Sequence, residues 1–88
     1  MDTEVDQLYA ITAVVSQFHV TPETLARYER AGLLRPHLRN EIRFYSQADV
    51  ERLTTIQRLT DICGLNLAGV DVVLRLLEEI RTLQRQLD

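Results

Sequence analysis

Residues 21–45 read TPETLARYERAGLLRPHLRNEIRFY, and this stretch decides the fold. It opens with a helix start, because Thr21 is a favoured N-cap residue and Pro22 follows at the first helical position, where its missing N–H costs nothing. Gly32 is typical of the residue just beyond a helix C-terminus, where the backbone turns left-handed. The pattern therefore predicts a short helix between Pro22 and Gly32.

This helix has an apolar side and a basic side. Leu25 and Tyr28 face one way, whereas Arg27 and Arg30 lie on other sides of the helix. A solvated surface and a binding surface would both leave these two arginines pointing outward.

The second half of the stretch has no helical periodicity. Pro36 opposes a helix, and Asn40-Glu41 can turn between two short extended segments. We predict a small β-hairpin within 33–45. Two of its apolar residues are expected to pack inward, Phe44 as a buried wedge and Ile42 against the body of the domain.

A predicted helix precedes this stretch. It covers Tyr9 to Phe18 with Thr12 as its N-cap, and His19-Val20 is a short turn into the next helix. Two short helices joined by such a turn form a helix-turn-helix. The apolar residues of the first helix recur at helical spacing and are Ile11, Val14, Val15 and Phe18.

A third helix follows the hairpin. Ser46 is its predicted cap, and Asp49 three residues later is the capping-box partner. Cys63-Gly64 ends the helix, and Cys63 is expected to be a small core residue. The apolar stripe consists of Val50, Leu53, Ile56 and Leu59, with Ile62 just beyond.

The last helix is the longest. Asn66 is its predicted cap, and it runs to about Leu87, a length of roughly 30 Å that exceeds what a thin core needs. We predict that the same helix of a second molecule covers its far end in a coiled-coil-like contact. Folding back on its own domain would suit only the first two turns. The predicted dimer contacts are Val70, Val73, Leu77, Ile80, Leu83 and Leu87, and Leu74 and Leu76 belong to the same stripe.

The predicted architecture is therefore mainly α, a winged helix-turn-helix with a small β-hairpin wing and a long C-terminal dimerisation helix. Residues 1–8 are expected to form a flexible acidic N-terminus. Residues 9–63 form the predicted winged helix-turn-helix domain, and residues 64–88 form the dimerisation helix.

The composition narrows the classes of function. The 88 residues make one small domain without a secretory signal or an apolar run of membrane length. One cysteine cannot form an internal disulfide, which agrees with a reducing compartment, so we expect a cytoplasmic protein. The net charge of −3 disfavours nucleic acid, but residues 20–60 contain seven arginines against five acids.

Enzyme chemistry finds little support in these residues. There is no glycine-rich phosphate loop and no Cys-x-x-Cys, and His19 and His37 do not pair with Cys63 at a metal-ligand spacing. Glu78-Glu79 is adjacent rather than paired across a cleft. We therefore expect no catalytic residue, no metal and no cofactor.

The candidate DNA contacts lie on the second helix and the wing. A helix-turn-helix presents the N-terminal residues of its second helix to base edges in the major groove. Tyr28 and Tyr45 can each offer a hydroxyl to a phosphate or pack in the core, and the residues alone leave both open. The helix candidates are Thr21, Glu23, Thr24, Arg27 and Arg30, and the wing candidates for the sugar-phosphate backbone are His37, Arg39 and Arg43.

These residues resemble the MerR family of transcriptional regulators over about residues 9–87. The family pattern runs roughly as Y-x-I, an apolar helix, V-[ST]-x-x-T-L-R-x-Y-E-x-x-G-L-L-x-P, then R-x-x-[GY]-R-x-Y-[ST]-x-x-D-[VI]. The matching positions are Tyr9, Ile11, Val20-Thr21, Thr24-Leu25, Tyr28-Glu29, Gly32-Leu33-Leu34, Pro36, Arg39, Arg43, Tyr45-Ser46 and Asp49-Val50.

Within that family, residues 64–80, GLNLAGVDVVLRLLEEI, are similar to heat-shock repressors of the HspR type. The resemblance implies a homodimer without a separate small-molecule effector domain. It implies double-stranded DNA as a partner, with an inverted-repeat operator upstream of chaperone genes, and a response to the chaperone DnaK. The alternative is a CbpM-type modulator, which has a similar helix and binds a DnaJ-like co-chaperone instead of acting on DNA.

Two positions depart from the family pattern. Ala26 stands where the family has an arginine that usually contacts DNA, and Glu41 at the wing tip would face phosphate. Each position removes or opposes a contact with DNA, which lowers the expected affinity and favours the protein-binding alternative.

Overall fold

The computed structural model describes residues 7–87, which divide between two compact units, Met1–Thr55 and Ile56–Asp88, with the boundary inside the third helix. Residues 1–6 of the predicted flexible N-terminus lie outside the described part. Over residues 7–87, no helix is long and apolar enough to cross a membrane. The elements are β1 (Leu8–Ala10), α1 (Ile11–Phe18), α2 (Pro22–Arg30), β2 (His37–Arg39), β3 (Ile42–Ser46), α3 (Gln47–Gln57), a π-helical turn (Arg58–Ile62) and α4 (Leu67–Leu87).

A three-stranded antiparallel sheet of order β1-β3-β2 lies in the first unit. Tyr9 pairs with Tyr45, and His37 pairs with Phe44 on the other side of β3. The buried hydrophobic residues of this unit are Val14, Leu25, Tyr28, Leu33, Leu34, Tyr45 and Leu53. The predicted small hairpin and helix-turn-helix are thus present, with one strand more than expected.

The added strand corrects the predicted start of the first helix. Leu8 to Ala10 pair with β3, so α1 begins only at Ile11, and its N-cap is Ala10 without a side-chain cap. Thr12 lies inside the helix and cannot cap it. Leu8, which was assigned to the flexible N-terminus, belongs to the sheet because the free edge of β3 offers it backbone partners.

The predicted boundaries of α2 are confirmed. The backbone N–H of Thr24 donates to Thr21 Oγ1 at 3.1 Å, and Pro22 opens the helix. At the other end Gly32 has φ +78°, and the N–H of Leu33 donates to the carbonyl of Tyr28 at 2.9 Å. This is the Schellman arrangement, in which a left-handed glycine satisfies the last carbonyls of the helix.

The hairpin turns at Asn40 and Glu41, as predicted. Both residues have positive φ, 51° and 66°, the pattern of the two-residue turn whose twist suits paired strands. The expectation that Ile42 packs against the body is wrong. Its side chain is 50% exposed because it directly follows the turn, at the far end of the hairpin. Phe44 is half-buried rather than enclosed.

The start of α3 agrees with the predicted capping box. The N–H of Asp49 donates to Ser46 Oγ at 3.1 Å, and the N–H of Ser46 donates to Asp49 Oδ2 at 3.1 Å. The predicted end of the apolar stripe is wrong, since Ile62 is 80% exposed and Cys63 is exposed rather than a core residue. Each backbone hydrogen bond of the π-helical turn spans one residue more than in an α-helix. The side chains that follow are therefore rotated away from the apolar face of α3.

The last helix begins at its predicted cap. Asn66 Oδ1 accepts from the N–H of Gly69 at 2.9 Å, and the Asn66 carbonyl accepts from the N–H of Val70 at 2.9 Å. Val70 and Leu74 are buried, at 0% and 6% exposure. Beyond them most apolar residues of α4 are exposed, namely Leu76, Ile80, Leu83 and Leu87, which leaves the second half of the helix with an uncovered apolar face.

Candidate nucleic-acid interface

Four polar side chains of α2 and its N-cap divide into two that are exposed and two that support the helix terminus. Glu23 and Arg27 are exposed, one helical turn apart. Thr21 uses its hydroxyl to cap the helix and to contact Thr24 Oγ1 at 3.0 Å. The two threonines are therefore occupied with one another, whereas the exposed Glu23 and Arg27 form no side-chain hydrogen bond or ion pair within residues 7–87.

The arginines of the predicted interface differ in their partners. Arg27, Arg30 and Arg39 are exposed, and none of them forms an ion pair with a carboxylate within residues 7–87. Arg43 is different, because its Nη1 lies 2.8 Å from Glu29 Oε1. Three cations therefore face solvent without compensation, and the fourth is neutralised inside the protein.

Glu29 holds the base of the wing to α2. Its Oε1 accepts from Arg43, and its Oε2 accepts a short hydrogen bond from the hydroxyl of Tyr45. Both side chains of the ion pair are largely shielded, with 28% exposure for Arg43 and 15% for Glu29. Burial, and then the adjacent Glu29 carboxylate, raise the pKa of the Tyr45 hydroxyl well above its usual range, so this hydroxyl remains a donor.

The two tyrosines have core positions. Tyr28 is 5% exposed and Tyr45 is 1% exposed, which is the core-packing alternative of the sequence. The Tyr45 hydroxyl already donates to Glu29. We therefore do not propose Tyr45 as a phosphate contact, whereas the hydroxyl of Tyr28 forms no hydrogen bond within residues 7–87 and stays a predicted contact.

The outer strand of the sheet carries the remaining wing candidates. His37 and Arg39 lie on β2, whose three residues are all exposed. Arg35, which was not among the predicted contacts, is exposed between α2 and β2 and has no ion-pair partner in the described part of the chain. Its charge next to the end of α2 was the available signal in the sequence.

Sequence reasoning also missed two supporting residues. Glu29 was noted only as a match to the Tyr-Glu pair of the family pattern, and its partners are 14 and 16 residues away. Arg52 Nε donates to the carbonyl of Leu33 at 2.7 Å and so fixes the chain after α2. Neither contact can be located from local periodicity, because both join separate elements.

The exposed face of α4 has the spacing of a coiled-coil seam. Its apolar residues recur at intervals of three and four, and Val73 is half-buried at the start of this series. Val70 was a predicted dimer contact, but at 0% exposure it is already covered within the chain. Leu77 is half-buried. The exposed members are Leu76 at 57%, Ile80 at 49%, Leu83 at 53% and Leu87 at 87%.

Comparison with known proteins agrees with this geometry. The model of the MerR HTH family regulatory protein matches residues 9–77. The chain belongs to the MerR family. It is also similar to a curated protein of Streptomyces coelicolor described as a putative heat shock protein HspR, with 34% identity over 83 residues. That match covers 93% of this chain and 55% of the relative, so the chain spans about half the length of the curated protein.

MerR membership confirms the predicted fold class and the resemblance, and the family is one of helix-turn-helix regulatory proteins rather than enzymes. The two departures from the MerR pattern have different surroundings. Ala26 is half-buried on α2, whereas Glu41 is exposed at the turn of the hairpin with φ +66°. Glu41 therefore brings a free negative charge to the wing tip.

Proposed function

We propose that this MerR-family chain binds duplex DNA as a homodimer at an inverted-repeat operator and represses heat-shock or chaperone genes. The observation that carries the proposal is the grouping of three exposed arginines without carboxylate partners in residues 7–87 on the predicted recognition helix and wing, Arg27 and Arg30 on α2 and Arg39 on β2. Arginines left unpaired on a recognition helix and a wing are suited to phosphates and guanine edges.

The contacts divide by position. Glu23 and Arg27 lie where base edges are read, so Arg27 takes guanine and Glu23 accepts from cytosine. Arg30, Arg35, His37 and Arg39 lie further from the start of α2 and meet the sugar-phosphate backbone. Thr21 and Thr24 keep the helix terminus in place. The half-buried Arg43 adds little direct contact in this scheme.

The homodimer follows from the uncovered half of α4. A seam of the kind formed by Leu76, Ile80, Leu83 and Leu87 is stable when a second helix buries it. Two identical chains related by a two-fold axis present two recognition helices, and such a pair fits two half-sites of opposite orientation. The operator is therefore an inverted repeat.

The gene class comes from the relative. The curated protein of Streptomyces coelicolor is described as a putative heat shock protein HspR, and it is 34% identical over 93% of this chain. By this analogy the chain acts in the heat-shock response. The resemblance of residues 64–80 to HspR-type repressors adds repression of chaperone genes, a cytoplasmic location and a response to DnaK. The cytoplasm is the proposed location because the DNA and the chaperone are both present in that compartment.

Fluorescence anisotropy on the promoter duplex of the chain's own gene tests the proposal. We expect tight binding that weakens as salt increases, because phosphate contacts release counterions. Arg39→Ala removes one contact from each protomer of the dimer and should lower the affinity by about tenfold, which corresponds to about 0.7 kcal/mol for each contact. Arg85→Ala on α4 removes the same charge from outside the interface and serves as the matched control. A folded dimer that shows no salt-dependent binding would exclude the function.

A second candidate is a CbpM-type modulator that binds a DnaJ-like co-chaperone. Ala26 and the exposed Glu41 favour it, since both reduce attraction to DNA. Titration of the purified chain against DnaJ-type and DnaK-type proteins separates the candidates. Binding to the DnaJ-type protein with no DNA affinity would select the modulator, whereas DNA binding with DnaK association would select the repressor.

A further inference from the structure

One acidic side chain joins the recognition helix to the wing. Glu29 lies in the last turn of α2, and it is reached by two donors from β3, Arg43 and Tyr45. Its own backbone carbonyl accepts from the N–H of Gly32 at 3.0 Å. Glu29 is therefore engaged through both carboxylate oxygens and its backbone.

The two donors hold different parts of the sheet. Arg43 is the register partner of Leu38 on β2, next to the exposed Arg39. Tyr45 is the register partner of Tyr9 on β1. A contact from Glu29 to both residues thus fixes the central strand relative to α2, and the paired outer strand that carries Arg39 moves with it.

We propose that Glu29 is a positioning residue for the DNA interface, and that Arg43 serves Glu29 rather than a phosphate. This inference rests on the proposed DNA binding. A phosphate would have to compete for Arg43 with a charge-assisted hydrogen bond of 2.8 Å that is largely shielded from water. Arg39 has no such partner within residues 7–87 and keeps its charge for DNA.

This role predicts that Glu29 and Arg39 contribute to DNA affinity in a coupled way, although no hydrogen bond or ion pair in residues 7–87 joins them. Without Glu29 the wing loses its fixed orientation, so Arg39 contributes less to DNA binding. If Arg39→Ala weakens binding about tenfold in the wild-type chain, it should weaken binding about twofold in the Glu29→Ala background, a coupling of ordinary size for linked residues. An acid that only stabilised the fold would leave the effect of Arg39→Ala unchanged in folded protein.

The experiment is a double-mutant cycle of Glu29→Ala and Arg39→Ala on the promoter duplex of the chain's own gene, well below the unfolding temperature of each variant. Glu51→Ala replaces Glu29→Ala in a matched cycle, because Glu51 is an exposed acid on α3 and its loss changes the net charge equally. We expect coupling for Glu29 and additivity for Glu51. Additivity in both cycles, or equal coupling in both, overturns the role.

A second measurement keeps the inference separate from the proposed function. Amide hydrogen exchange of His37 and Arg39, whose positions are the hydrogen-bonded pairs with β3, should be faster without DNA in Glu29→Ala, and Glu29→Gln replaces that variant if it does not fold. Unchanged exchange overturns the positioning role of Glu29 even when DNA binds. If exchange is faster in the variant but the wild-type chain does not bind the duplex, Glu29 does hold the wing in place. Its role at a DNA interface then fails together with the proposed function.

Discussion

At the scale of single residues, some polar side chains bond to other parts of the protein, whereas others are exposed and have no partner of opposite charge in the described part of the chain. Tyr45 shows the structural use, because a buried ring brings one hydroxyl to the Glu29 carboxylate. Arg27 shows the opposite use, with an exposed charge and no acid within ion-pair distance in residues 7–87. Substitutions that remove one atom or one small group can separate these two uses.

Removal of the Tyr45 hydroxyl should destabilise the fold. Tyr45→Phe keeps the ring and leaves Glu29 with one donor fewer, so we expect a loss of about 1.5–3 kcal/mol in the free energy of unfolding. Tyr9→Phe is the control, because its hydroxyl donates to Gln47 at 2.7 Å at an exposed site and should cost under about 1 kcal/mol. Urea unfolding measures both, and equal losses would contradict the prediction.

The threonine caps provide a second residue-scale prediction. Thr21→Ala removes the acceptor for the N–H of Thr24 and should cost about 1 kcal/mol of stability. Thr12→Ala changes an exposed position inside α1, where alanine favours the helix, and should cost nothing. Thermal unfolding of the two variants compares them directly. A similar loss for Thr12→Ala would mean that α1 begins later than Ile11.

At the scale of elements, the sequence predicts the caps and turns, because their interacting residues lie close together in the chain. Thr21, Ser46 and Asn66 are caps whose partners lie three residues away, and Asn40-Glu41 turns where its residue types favour a turn. The strand β1 was missed because three residues gain a strand only from pairing with distant β3. The π-helical turn was missed because a shift in backbone hydrogen bonding leaves no mark in the spacing of residues.

The hairpin turn offers an element-scale prediction. Glu41 has φ +66°, which costs a residue with a Cβ about 1 kcal/mol. Glu41→Gly should therefore stabilise the hairpin by up to about 1 kcal/mol and, by removing a negative charge from the wing tip, increase DNA affinity. Glu41→Gln is the control that removes the charge and keeps the Cβ. A stabilisation equal in both variants would show that charge rather than φ is responsible.

The apolar face of α4 is a second element-scale case. Leu83 is 53% exposed in the seam, so Leu83→Glu would place an unpaired carboxylate in the proposed dimer contact. We expect the dimer dissociation constant to rise by more than about a hundredfold, since such a burial costs several kcal/mol. Thr82→Glu adds the same charge one residue outside the seam and should have little effect. Sedimentation equilibrium distinguishes the two outcomes.

For the whole molecule, the net charge of −3 disfavours the proposed DNA binding, so that binding depends on which charges are already paired within the protein. The chain carries −3, yet acids such as Asp71, Glu78 and Glu29 lie in ion pairs within the protein. Seven arginines have no such partner within residues 7–87. Four of them lie on and around α2 and the wing, namely Arg27, Arg30, Arg35 and Arg39, and the other three are Arg52, Arg58 and Arg85. The basic segment is visible in the sequence, but only the structure shows that Arg43 is paired with Glu29 while Arg39 has no acid partner within residues 7–87.

This difference between two wing arginines predicts different salt dependences for the proposed dimer. The logarithm of the binding constant falls with the logarithm of salt concentration by about 0.9 for each phosphate contacted. Arg39→Gln removes one contact from each protomer, so the slope should become shallower by about 2. Arg43→Gln should lower affinity by loosening the wing, and it should change the slope less than Arg39→Gln does, because Glu29 already holds the Arg43 charge. The measurement is anisotropy over a salt series with Arg85→Gln as the control, and an equal change of slope for the two wing variants would return Arg43 to the phosphate backbone.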